Sequence, residues 1–158
     1  MSCGIALVAT LLLSDPAVAA SAAAPSSAPD APVSVAAEPL FAGIIQKAGA
    51  LKTVVDGWSA SGAAEQAGFF AADPYRRFRA EAEALAASDL QGHLVLKERG
   101  VDGDLKCILR GISEDLPVRL QALETAPNAA ERAVALSELS HLLDDNVAVI
   151  TAPPKPPV

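Results

Sequence analysis

The sequence predicts an all-α fold, a compact bundle of about six to seven short helices with Pro/Ala-rich ends. Three observations point there. Apolar residues recur at three- and four-residue spacing through most of the stretch between Leu40 and Ile150. Helix start and stop residues punctuate that stretch. No two segments alternate apolar and polar residues in a way that would pair as strands. At 158 residues the chain has room for one domain with tails.

Residues 1–20 read as an export signal. Ile5 to Leu13 is an apolar run, Pro16 breaks it, and small residues follow at Ala17, Ala19 and Ala20. The run falls short of the ~20 residues that a membrane-crossing helix needs, so no transmembrane span is expected. Only the α-amino charge precedes it, since Lys and Arg are absent there. Residues 21–39 are almost all Ala, Pro, Ser and Val, a composition that makes an extended linker. Residues 151–158 repeat the theme as a Pro-rich tail. The helical domain is therefore expected over 40–150.

Within it, Phe41, Ile44, Ala48, Leu51, Val55 and Trp58 share one face of a first helix, which the Ser59–Gly62 stretch ends. A short apolar piece carries Phe69 and Phe70. Asp73-Pro74 is a start signal, with Asp as N-cap and Pro where its missing N–H costs nothing. Tyr75, Phe78, Ala82 and Leu85 form the stripe that follows. Ser88 with Gln91 has capping-box spacing, so a separate helix is expected from there to Arg99, with Gly100 behind it. Asp104 caps the next helix, whose stripe is Leu105, Ile108, Leu109, Ile112 and Leu116. Pro117 is expected to kink or restart it before Leu120 and Leu123. Asn128 with Glu131 is a second capping box. Ala135, Leu136, Leu139, Leu142 and Leu143 follow, and Asp144-Asp145-Asn146 is read as the end.

Composition narrows the function. Nineteen acids against twelve Lys and Arg give a net charge of −7, which argues against a nucleic-acid partner, because phosphate binding needs basic patches. Half the residues are hydrophobic but only 4% are aromatic, and much of the remainder is alanine. There is no Gly-rich phosphate loop, no Gly-x-Ser-x-Gly and no Cys-x-x-Cys-His, so no cofactor is predicted.

Three groups of residues remain as candidates. Cys107, the one cysteine left after signal removal, lies across its helix from Leu105 and Leu109. It is either a small residue admitting a close neighbour or an exposed thiol whose thiolate Lys106 and Arg110 favour. Arg76, Arg77 and Arg79 form the one basic cluster. Spacing of i, i+4 pairs Arg77 with Glu81 and Arg79 with Glu83, and an anion patch at the helix start is the alternative. Glu138, His141 and Asp145 share an acidic helix face, where adventitious metal binding competes with simple solvation. The reading that results is an exported, periplasmic or secreted helical protein that binds an envelope protein or a small ligand. The alternatives are an enzyme using Cys107 or carboxylates in a helical cleft, and a metal-handling protein.

Overall fold

The computed structural model describes residues 34–100 and 103–153. The expected signal peptide at 1–20, most of the 21–39 linker and most of the 151–158 tail lie outside these. Among the described residues there are four long helices and no strand: α1 (Pro39–Ser61), α2 (Asp73–Glu98), α3 (Leu105–Thr125) and α4 (Ala129–Thr151). Two single 3-10 turns, Ala63–Glu65 and Phe69–Ala71, bridge α1 and α2. The helices pack in a ring in chain order, each against the next and α4 back against α1. Short connections make the neighbours antiparallel, an up-down-up-down bundle in which α2 faces α4 across the diagonal.

Four helices replace the six to seven expected, and each overruled break has a physical reason. Ser88 does not cap a new helix. Its hydroxyl donates to Ala84 O one turn back, 2.9 Å away, and is satisfied inside α2. The interior stripe of α2 is Tyr75, Phe78, Ala82, Leu85, Asp89, Gly92 and Leu96, with Ala86 buried beside it. Their spacing alternates three and four without interruption, so breaking at Ser88 would forfeit burial on both sides.

Pro117 lies inside α3 with its ring exposed, while Leu116 and Leu120 are buried either side of it. Burial of that stripe outweighs the ~3 kcal/mol cost of an interior proline. Asp144-Asp145-Asn146 does not end α4. Asn146 turns inward, and the stripe Leu136, Leu139, Leu143, Asn146, Ile150 carries the helix to Thr151. His93 to Leu96, an apolar run short enough for a strand, also lies within α2.

The boundaries follow the sequence more closely. Gly62 ends α1 at φ 66°, a left-handed conformation suited to glycine, and its N–H donates to Trp58 O. Asn128 caps α4: its Oδ1 accepts from Glu131 N at 2.9 Å, and its Nδ2 donates to Glu131 Oε1 at 3.2 Å. α2 starts one residue earlier than expected, with Ala72 at the cap position, and Asp104 precedes α3 without a side-chain cap bond. The domain also reaches into the expected linker. Val35 and Ala36 pack on the core, and Glu38 makes two bonds to Arg99, 2.9 and 2.8 Å, fastening the entry to α1 against the exit of α2.

At that end of the bundle the helices approach closely at Gly92. A Cβ there would meet Leu109 Cδ1 at 3.1 Å and Phe41 Cε1 at 3.3 Å. At the other end, Trp58, Phe69, Phe70, Tyr75 and Phe78 form one aromatic cluster, with Trp58 edge-on to both Phe69 (4.9 Å) and Phe78 (4.7 Å). Arg132 of α4 holds the connecting turns to the bundle. It donates to Ala64 O at 3.0 Å and lies over the Phe70 ring.

Candidate functional site

The α1–α2 seam is not closed along its outer side. Leu51, Val55 and Phe78 face the core, while one turn-width around α1 the side chains of Ala50 and Val54 look outward over the same seam. With Trp58 and Pro74 they leave an open, mostly apolar groove of about 730 Å³. That size lies within the ordinary range for small-ligand sites. Val54 is 40% exposed on its wall, a large aliphatic side chain left partly uncovered.

Charged residues set the ends of the groove. Lys47 of α1 reaches Glu81 of α2 at 3.0 Å, an ion pair that crosses the seam and divides the groove. On one side lie Gly43 and Gln46. On the other is the apolar basin of Ala50, Leu51, Val54, Trp58, Pro74 and Phe78, with Arg77 at its rim.

The three arginines of the basic cluster have three different fates. Arg79 keeps its predicted partner Glu83 at 3.0 Å and adds Glu124 of α3 at 2.9 Å. Arg76 turns back to Asp73. The pairing expected between Arg77 and Glu81 does not form, because Glu81 is taken by Lys47. Each other arginine among the described residues has an ion-pair partner, and Arg77 has none.

Behind the basin, Tyr75 is almost wholly buried and donates its hydroxyl to Glu124 Oε1 at 2.8 Å. Burial, then the Glu124 bond, pushes the phenol above its ordinary range, so it stays a neutral donor. The shared acceptor Glu124 thus ties α2 to α3 under the aromatic cluster.

A second polar feature sits in the core itself. Asp89 of α2 and Asn146 of α4 are fully buried, and Asn146 Nδ2 donates to Asp89 Oδ2 at 2.9 Å. One oxygen of each, Oδ1, has no hydrogen-bond partner. Burial raises the Asp89 carboxyl to about 7, partly opposed by the Asn146 bond. The sequence reads Asn146 as part of a helix end and does not single out Asp89, although both occupy stripe positions where a polar residue breaks an otherwise apolar register.

The remaining candidates are dispersed. Cys107 is exposed, so it does not fill the small-residue packing role allowed for it on the side of α3 away from Leu105 and Leu109. Glu138 is engaged by Arg119 of α3 at 2.6 Å, while His141 and Asp145 are exposed on α4. No three His, Cys, Asp or Glu side chains gather to hold a metal ion among the described residues. His93 Nδ1 lies 2.6 Å from Lys106 O, joining α2 to the start of α3. No described helix is long and apolar enough to cross a membrane.

Comparison with family models, curated proteins and solved structures returned no match for this chain.

Proposed function

We propose that this chain is an exported binding protein that holds a small apolar ligand in the groove between α1 and α2. The observation that carries the reading is the apolar basin itself. Val54 and Trp58 are left partly exposed over a floor of Leu51 and Phe78; Leu90, Leu94, Val118 and Val134 are exposed as well, and what sets Val54 apart is the concave groove it lines. A concave, mostly apolar groove of this size is the ordinary form of a small-ligand site. The Lys47–Glu81 pair favours a slim ligand over a docked helix. A helix ~10 Å wide needs an unbroken trough, and the ion pair interrupts this one. Export rests on the apolar run from Ile5 to Leu13 and the small residues Ala17, Ala19 and Ala20.

Trp58 is the only tryptophan and lines the basin, so its fluorescence reports occupancy directly. Titration with a neutral alkyl probe, dodecyl maltoside kept below its micelle concentration, is expected to give a saturable blue shift. Val54→Asp is expected to abolish it. An emission spectrum unchanged across the titration would overturn the reading. N-terminal sequencing of material from the envelope fraction is expected to begin near residue 20, and an intact Met1 on cytosolic material would sink the export half.

A further inference from the structure

We infer that the ligand of the α1–α2 groove is an amphiphile with a single carboxylate, of the fatty-acid type, its hydrocarbon in the basin and its head group on Arg77. The inference rests on the groove reading above and adds the identity of the head group. Arg77 is the starting observation. In a chain with nineteen acidic residues, every other described arginine has found a carboxylate. Arg77 has an acid one turn ahead on its own helix, at the spacing that ordinarily pairs, yet that acid is drawn across the seam to Lys47. The diversion leaves a guanidinium free at the edge of the α1–α2 groove.

The chemistry of that guanidinium selects the head group. It is planar, stays charged at any physiological pH, and offers a fork of donors that matches a carboxylate with two parallel bonds. One free cation balances one negative charge. A dianionic phosphate would call for more donors than the rim supplies, and the net charge of −7 repels polyanions. Pro74, in the first turn of α2, brings the start of that helix to the same end of the groove, and Asp73 beside it is already engaged by Arg76. The other walls, Ala50, Leu51, Val54 and Phe78, offer hydrocarbon, and Trp58 adds an indole ring whose only polar group is its N–H. The Lys47–Glu81 pair closes the far end of the basin, so the tail lies on the Trp58 side.

The test compares three dodecyl probes by Trp58 fluorescence below their micelle concentrations, with circular dichroism confirming that the helices persist. Dodecanoate is expected to bind at least ten-fold more tightly than dodecyl maltoside, and dodecyltrimethylammonium more weakly than either. Arg77 is exposed and has no partner to lose, so Arg77→Gln will fold. That variant is expected to bring dodecanoate down to the level of the maltoside, with a far smaller change in maltoside binding. Arg77→Glu is expected to reverse the order in favour of the ammonium probe. Equal affinity for dodecanoate and maltoside in the parent chain, or a dodecanoate preference that survives Arg77→Gln, would overturn the carboxylate assignment and leave the groove standing. Failure of all three probes to bind would overturn the groove reading itself, and this inference with it.

Discussion

Asn146 and Asp89 meet across the diagonal of the bundle, the amide Nδ2 donating to the carboxyl Oδ2 at 2.9 Å between helices that are not neighbours in the ring. Such a contact fixes the relative height of α2 and α4. A slide by one turn would strand both polar groups against hydrocarbon.

The same contact makes stability depend on pH in an unusual direction. The folded Asp89 titrates near 7 and the unfolded one near 3.8. Between those values the folded state holds a proton that the unfolded state has lost, so stability falls as pH rises through that window and is fully present only below it. The ceiling on this effect is ~4 kcal/mol. Asp89→Asn keeps the shape and removes the titration. Urea midpoints at pH 5 and pH 8 are expected to show the parent chain losing stability relative to the variant by ~2–4 kcal/mol. A constant difference between the two proteins across that range would refute the assignment.

Gly92 is needed for closeness and Gly49 is not. A side chain at Gly92 would meet Leu109 and Phe41, whereas a Cβ at Gly49 meets nothing within 4 Å. Gly92→Leu is expected to destabilise by ~2–3 kcal/mol through overpacking. Gly49→Ala is expected to stabilise by ~0.5–1 kcal/mol, because alanine restricts the unfolded chain and favours the helix. Thermal melts of the two variants read both effects.

Removing the Tyr75 hydroxyl isolates one buried tie. Tyr75→Phe leaves the aromatic contacts in place and takes away the donor to Glu124, which retains Arg79. The expected loss is ~1 kcal/mol, since the surviving acceptor still has a partner. A loss much above ~2 kcal/mol would mean that the aromatic cluster itself had rearranged.

Cys107 is exposed on α3, so it is expected to alkylate in the native protein without denaturant. Peptide mapping after iodoacetamide treatment assigns the modification to Cys107 rather than Cys3. Native protein left unmodified at Cys107 would show that another surface covers it.

The fold class was legible because the stripe periodicity is strong, and Gly62 and Asn128 mark boundaries whose chemistry is local. The helix count was not, because Ser88, Pro117 and Asn146 carry boundary signals that burial of their neighbours overrides. The arginine cluster was visible, but not the diversion of Glu81 to Lys47, since a partner on another helix leaves no trace in local spacing. Asp89 and Asn146 could have been found as polar residues standing in phase with their stripes. The groove had a fainter signal in Ala50 and Val54, which widen the apolar face of α1 beyond what a buried stripe requires.

The alternation of threes and fours along α2 and α4 has a consequence for how the molecule can change size. Interior positions repeat every seven residues, so inserting one residue within a helix rotates everything beyond it by ~100° and throws its stripe toward solvent. Seven residues preserve the phase, but only if the antiparallel neighbours lengthen with it. The bundle therefore has permitted lengths, spaced by whole layers. The groove can be deepened or shortened along α1 only in those steps.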